Sequence, residues 1–464
     1  MTESILSRVL PTSLIVVGVL VLYMWVSGDS TTGFTMRLAD SNEEPDSAST
    51  VNGGVIEGHL VKYDGVASSL EGSWPRFRGG NLDGVSREDV KLSRKWSQAG
   101  PSVLWSIAVG EGYAGAAILG GCVYMIDYDQ AGQSDAIRCF SLDDGKEIWR
   151  YSYPVTVRRQ HGMSRTVPAV TEKYVVTLGP KCQVTCLDRV TGEFGWMLDL
   201  VKDFGAKVPE WYAGQCPSID DGKAIIAVGG KVLMMSVDCA SGQTVWTTPN
   251  PRRWVMTHSS VLPIEFNGKR MYVYCGSGGV VGVSADDGRI LWEYLDWKIR
   301  IANVPTPVLV GDGMILLSGG YNAGCMLLKL REEGGTILAE QSWRLKADVF
   351  GASQQTPIYY EGYIYGVRQD GQLVCVDMSG NVVWSSGMGH KFGLGGYIIA
   401  DGLIYAMDDS GLLTMAEASS QSYSALGQAQ VLDGPEAWGP PAIASGRLIV
   451  RDLNRMSCLD VSKQ

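Results

Sequence analysis

From Val103 to Val461 the chain alternates apolar and polar residues in short runs. Each run is broken by a turn that contains Gly. PVLVGDGMILL from Pro307, PIYYEGYIYGV from Pro357 and PAIASGRLIVR from Pro441 each read as strand, tight turn, strand. Downstream of such pairs comes a second pattern, of which CLDRVTGEFGW, Cys186 to Trp196, is the clearest copy. Its Asp can bond nearby backbone, its Gly can take a positive φ, and its Trp ends the unit with a large ring and one N–H donor.

That second pattern recurs. CFSLDDGKEIW from Cys139, SVDCASGQTVW from Ser236 and GVSADDGRILW from Gly282 keep Gly at the seventh place and Trp at the eleventh. CVDMSGNVVW from Cys375 is one residue shorter, and LKLREEGGTILAEQSW from Leu328 is longer. MAEASSQSYSA from Met415 has lost both residues, and CLDVSKQ from Cys458 runs off the end. A self-similar β-rich period of roughly 40–50 residues predicts a propeller, one four-stranded blade per period. VLWSIAV, Val103 to Val109, is an outer strand without inner strands before it; the last set, from Pro441, has inner strands without an outer one. Joining the two closes the ring and leaves no free sheet edge inside it. The outer strands then carry Trp105, Trp149, Trp196, Trp246, Trp292, Trp343 and Trp384, with a Trp-less eighth near Tyr423. The prediction is an all-β, eight-bladed β-propeller closed by its N-terminal outer strand, with those tryptophans docking between blades.

The eleven-residue stretch resembles the tryptophan-docking motif A-x-D-x-x-T-G-x-x-x-W of the PQQ-like (pyrroloquinoline-quinone repeat) propellers, with Cys186 in the place of Ala. WPRFRGGNLDGVS, Trp74 to Ser86, is similar to the segment before the propeller in secreted bacterial members. The resemblance covers Trp74 to the C-terminus and implies membership of a BamB-like, quinoprotein-like superfamily. That superfamily holds both PQQ-dependent dehydrogenases and non-enzymatic scaffolds, so the resemblance is specific for fold and weak for activity. A dehydrogenase would bring PQQ and a Ca²⁺ held by Glu, Asn and Asp. That set does not map onto this sequence residue by residue, and the adjacent Cys-Cys pair of many quinoprotein alcohol dehydrogenases is absent. No lipobox Cys precedes Cys122, a departure from the lipoprotein propellers of outer-membrane assembly.

Ahead of the repeats, Leu10 to Val26 is apolar and uncharged, about the minimum length of a membrane span. Arg8 precedes it, and Asp29, Asp40, Glu43 and Glu44 follow, which places residues 1–9 in the cytoplasm and the C-terminal part in the periplasm or otherwise outside. A cleaved signal peptide is the competing reading. Residues 27–73, rich in Ser, Thr, Gly and acids, read as a flexible linker, and 74–464 as the propeller with an N-terminal strap.

Composition narrows function. The net charge of −10 argues against nucleic acid as a partner. Walker, HExxH and C-x-x-C motifs are missing, and four His residues are too few for a multi-His metal centre. Among ten cysteines, Cys139, Cys186, Cys375 and Cys458 hold equivalent places in different blades and read as small buried apolar residues. Cys122 and Cys139 can face each other across a hairpin centred near Gln130, a candidate disulfide. Asp127, Asp129 and Asp135 begin like a calcium loop, but Ala131 fills a ligand place and the twelfth position lacks Glu.

One mouth of a propeller channel is formed by the loops from each outer strand to the next inner strand. They carry Arg158, Arg159, His161 and Arg165; Trp211; Arg252, Arg253, Trp254 and His258; Trp297, Lys298 and Arg300; and His390 with Lys391. Convergent cations among aromatic rings suit an anionic ligand or a protein partner; solvated loops with each base paired to its own neighbour are the alternative. The predicted function is a membrane-anchored, extracytoplasmic binding or scaffold module without catalysis. The alternative is a quinoprotein dehydrogenase of alcohols or sugars, and a sugar- or cell-wall-binding propeller is a third possibility.

Overall fold

The computed structural model describes residues 57–463, which form eight β-sheets. Blades 1 to 7 span residues 117–154, 169–199, 218–249, 262–294, 308–345, 358–385 and 397–430; blade 8 takes its three inner strands from 442–460. Its outer strand is Ser102–Ala108, which pairs antiparallel with Arg455–Asp460, Trp105 opposite Cys458. The predicted ring closure is therefore present. Arg451, buried in blade 8, supports it by donating to the carbonyls of Gly110 and Ala114 at 3.0 and 3.2 Å, just past the closing strand.

The repeat pattern states how the blades lock. In blades 1, 2, 3 and 6 the docking Trp lies opposite the first residue of its motif, as in Cys139↔Trp149, Cys186↔Trp196, Ser236↔Trp246 and Cys375↔Trp384, with a bulge just after that pair. The bulge adds local twist and aims the indole at the next blade. There it covers the turn Gly. Gly192, Gly242 and Gly288 have φ of 72°, 71° and 73°, and a Cβ on them would stand 2.6, 2.6 and 2.5 Å from the rings of Trp149, Trp196 and Trp246. The indole N–H then caps a carbonyl of the same turn: Trp105 to Leu142, Trp196 to Cys239, Trp246 to Ala285, Trp343 to Met378 and Trp384 to Ser419, all within 2.8–3.0 Å. Trp292 differs. The outer hairpin of blade 5 runs through ten-residue strands, and Trp292 Nε1 approaches Met271 Sδ in its own blade at 3.3 Å.

Blade 7 lacks a docking Trp: the residue opposite Met415 is Gly427. Trp96, from the segment before the closing strand, lies over that vacancy, 3.3 Å from where a Gly427 Cβ would be, with its ring 6.3 Å from Tyr405. The eighth tryptophan is thus supplied from outside the repeat.

The strap closes one end of the channel. Trp74 exchanges backbone hydrogen bonds with Ile118 of blade 1, and Pro75 accepts from Val170 of blade 2. Arg76 donates to Ile219 O of blade 3, Leu82 packs among blades 4 and 5, and Val85–Ser86 pairs parallel with the inner strand of blade 7. Arg78 fastens it to blade 6. Its guanidinium donates to the carbonyls of Leu82, Asp83, Thr356 and Pro357, each at 2.9 Å, and burial lowers its pKa to about 10.

Two expectations change. The linker was expected to reach Ser73, but His59–Lys62 is a fifth strand on blade 1, antiparallel to its outer strand. Backbone pairing with a ready sheet edge needs little apolar sequence, so a polar composition concealed it. All ten cysteines are free thiols and buried, Cys122 and Cys139 included, so the bridge between them is not made. They are diagonal neighbours: Cys122 lies opposite Ser141, and Cys139 opposite Tyr124. Among the described residues no helix is long and apolar enough to cross a membrane; Leu10 to Val26 lies outside them.

Candidate functional site

With its floor closed by the strap, the central channel is a blind well of about 390 Å³, open toward the inter-blade loops. Trp74, Phe77 and Arg78 form the floor; Tyr113, Trp211, Tyr321, Tyr397 and Trp438 supply aromatic walls. Its volume lies in the range of small-molecule and anchor-residue pockets.

Four of the predicted residues meet there: His161, Arg165, Trp211 and His258. Arg165 organises them. It donates to the carbonyls of Trp211 and, at 2.9 Å, Gly162, and its guanidinium lies 5.0 Å from the Tyr113 ring centroid. Tyr113 lies 5.0 Å from the ring of Trp438 and donates to Glu436 at 2.5 Å. Burial lowers the Arg165 pKa to about 10. Burial and, next, the charge of Arg165 lower His258 to about 4, so that imidazole is neutral at physiological pH. Its ring lies 6.5 Å from that of Trp211. His161, Trp211 and Tyr321 hold φ of 54°, 60° and 53°, a conformation costing an L residue about 1–2 kcal/mol.

The other candidates lie elsewhere. Arg159 pairs with Glu111 at 2.6 Å and Arg252 with Glu293 at 3.0 Å, both on the rim. Arg158 uses its carbonyl to accept from Tyr212 at 2.7 Å. Arg253, Lys298 and Arg300 are exposed. Trp254 and Trp297 were expected to be mouth aromatics but are buried, with 6 and 1 % exposed. Trp254 fills the space left by Gly276 and Gly278, and the Arg344 guanidinium lies 5.6 Å from the Trp297 ring centroid. His390 rests on Tyr423 at 5.4 Å, and the Lys391 backbone bridges Gln372; neither lines the well. Sequence reasoning missed Tyr113, Tyr321, Trp438 and Gln355. Three of these sit in loops on either side of the repeat motifs, and Tyr321 on an inner hairpin of blade 5.

The calcium-loop residues do not converge. Asp127 pairs with Arg138 at 2.9 Å, Asp129 caps the N–H groups of Ala131 and Gly132, and Asp135 is fully buried and accepts from Tyr153 at 2.8 Å. A PQQ–Ca²⁺ pair does not fit the well either. A divalent ion there needs carboxylate oxygens, and the lining contains none. The two lining guanidiniums already donate to backbone carbonyls rather than standing ready for a tricarboxylate. Among the described residues no cluster of three His, Cys, Asp or Glu side chains is placed to hold a metal.

An eight-bladed ring locked by Trp-on-Gly docking defines a PQQ-like β-propeller. The chain belongs to the family of the outer membrane protein assembly factor BamB, whose model matches residues 133–386. It is 20 % identical over 287 residues to the outer membrane protein assembly factor BamB of Moranella endobia (strain PCIT), covering 59 % of this chain and 70 % of that protein. Among solved structures it is similar to BamB from Moraxella catarrhalis, with a TM-score of 0.53 and 14 % identity over 78 % of this chain and 99 % of that one. It is also similar to a europium-containing methanol dehydrogenase, with a TM-score of 0.62 and 12 % identity over 83 % and 90 %. The quinohemoprotein alcohol dehydrogenase from Comamonas testosteroni gives 0.60 and 13 % over 84 % and 81 %. At these identities the structural likenesses speak to fold alone.

Proposed function

We propose that this protein is a non-catalytic, extracytoplasmic scaffold, held at a membrane by its N-terminal segment, that captures a protein partner at the channel mouth. The observation that carries this reading is the composition of the well: aromatic walls, a closed floor and no lining carboxylate. Such a surface offers desolvated rings for binding and no carboxylate to hold a Ca²⁺ or to take a proton from an alcohol. The BamB relatives are named for assembly of outer membrane proteins, which agrees with a partner-binding role. A photo-crosslinking residue at Gln354, exposed beside the well, should give one discrete protein adduct in intact membranes. The same residue at Val190, 63 % exposed on a blade 2 turn outside the well, should not. Alcohol-dependent reduction of an artificial acceptor by the purified protein with PQQ and Ca²⁺ would overturn the reading.

A further inference from the structure

Blade 2 meets blade 3 through apolar packing, a docked indole and, in addition, two sulfurs. Cys186 lies on the blade 2 strand Gln183–Asp188, opposite Trp196, and Cys239 lies in the turn that follows the blade 3 strand Val232–Asp238. Both are buried, with 1 and 2 % exposed, in the apolar cluster that joins the two blades. Cys186 Sγ lies 3.5 Å from Cys239 O and in hydrogen-bond contact with the Cys239 thiol. Cys239 is held there from both sides. Its N–H donates to Gly222 O at 2.9 Å, and its carbonyl accepts the indole N–H of Trp196 at 2.9 Å. Trp196 belongs to blade 2 and packs on Gly242 of the same blade 3 turn. Docking of the blades therefore brings the two thiols together.

A second pair, Cys122 and Cys139, is also in thiol contact. It lies within one antiparallel ladder of blade 1, registered from Cys122↔Ser141 to Asp129↔Ser134. A bond there fixes little that the ladder leaves loose. Cys186 and Cys239 are 53 residues apart in the chain and in different blades. A bond between them closes a long loop, and the entropy removed from the unfolded chain grows with loop length.

We propose that Cys186 and Cys239 are a redox site that an oxidising compartment converts to a disulfide, stapling blade 2 to blade 3. The extracytoplasmic placement above supplies such a compartment; the pairing itself stands on the geometry of the joint and not on the scaffold role. The connection it braces, residues 200–217, carries Trp211 and Cys216 of the well, so the staple fixes the frame that presents the Trp211 ring. Both sulfurs are covered once the joint has closed, so the exchange takes place while it is open. The oxidant is a disulfide of the glutathione class. The Cys186 thiolate attacks one of its sulfurs, breaks its S–S bond and releases one glutathione thiolate. When blade 3 docks, the Cys239 thiolate attacks the Cys186 sulfur, forms the Cys186–Cys239 bond and releases the second. Two electrons pass from the cysteines to the oxidant, and the two protons that the cysteines lose end on the two glutathione thiols.

For the test, the full-length chain is synthesised in a cell-free system with oxidised or with reduced glutathione, denatured in an alkylating agent and mapped by mass spectrometry. Under reduced glutathione all ten cysteines should be alkylated. Under oxidised glutathione Cys186 and Cys239 should leave the alkylated set and appear as one disulfide-linked peptide pair. The linked protein should melt about 5 °C above the reduced protein. Cys239→Ser, and Cys186→Ser as a second variant, should abolish that difference. Alkylation of Cys186 and Cys239 under oxidised glutathione overturns the proposal whether or not Cys122 and Cys139 are found bridged, as does a glutathione adduct on either residue in place of the link. A melting difference that persists in Cys239→Ser, or none in the parent protein, overturns the staple. The pairing is read on isolated protein, so its failure leaves the scaffold reading standing, and a missing Gln354 adduct leaves the pairing standing.

Discussion

Replacing one glycine by alanine at two matched positions separates backbone strain from blade docking. Gly242 and Gly222 both have φ of 71°. A Cβ on Gly222 would meet nothing within 4 Å, whereas one on Gly242 would stand 2.6 Å from Trp196 Cγ. Gly222→Ala should therefore cost only the left-handed conformation, about 1–2 kcal/mol. Gly242→Ala should cost that plus overpacking, about 1–3 kcal/mol more. The indole cannot easily retreat, because its N–H is bonded to Cys239 O at 2.9 Å in the same turn. The assay is equilibrium urea unfolding followed by far-UV circular dichroism. Trp196→Ala by itself should cost about 3–5 kcal/mol. In that background the excess of Gly242→Ala over Gly222→Ala should disappear, since the ring it strikes is gone. Equal costs of the two alanines in the parent protein would refute the docking mechanism, and an excess that survives Trp196→Ala would place the clash elsewhere.

Arg78→Met removes four N–H bonds to buried carbonyls and should cost about 3–5 kcal/mol. Hydrogen exchange should then rise first in residues 74–86; exchange unchanged there would mean the strap is held by other contacts. His258 has a folded pKa of about 4 against about 6.5 unfolded, so between those values only the unfolded chain binds the proton and stability falls as pH falls. His258→Gln should flatten the stability profile in that window, and a profile of unchanged slope would be the contrary result. Asp135 has the opposite sign. Burial raises its pKa to about 8, so between about 4 and 8 the folded state keeps a proton that the unfolded state has lost, and stability falls as pH rises. Asp135→Asn should gain relative stability at pH 8 over pH 5, by about 4 kcal/mol at most; melting curves at the two pH values show whether it does.

What the sequence made legible was whatever the repeat enforces. A Gly at the seventh place and a Trp at the eleventh are local expressions of a contact between neighbouring blades, so reading them along the chain gave blade number, closing strand and docking residues. The vacancy at Gly427 was visible as a missing Trp, but its filling by Trp96 was not, because that contact crosses more than 300 residues and obeys no period. The site was less legible for the same reason. Loop membership identified Arg165, Trp211 and His258, yet it could not say which way a ring points. Trp254 and Trp297 lie in mouth loops and turn inward, Trp254 because Gly276 and Gly278 leave room beneath it. Basic residues were counted without their partners: Glu111 and Glu293 take two of the arginines.

The closing strand also sets a schedule for synthesis. Ser106 and Ser457, which touch at 2.9 Å in the finished ring, are 351 residues apart in the chain. At roughly 5–20 residues per second, Ser102–Ala108 leaves the ribosome about 20–70 s before its partner exists. Throughout that interval it is an unpaired strand carrying Val103, Leu104 and Trp105, while blades 1 to 7 acquire all their own strands in turn. Blade-by-blade growth is fast because each contact is nearly local, but closure waits for Arg455–Asp460. A ribosome stalled within the final blade would therefore release a chain whose first strand has no mate, with a flat apolar edge open to pairing with another copy.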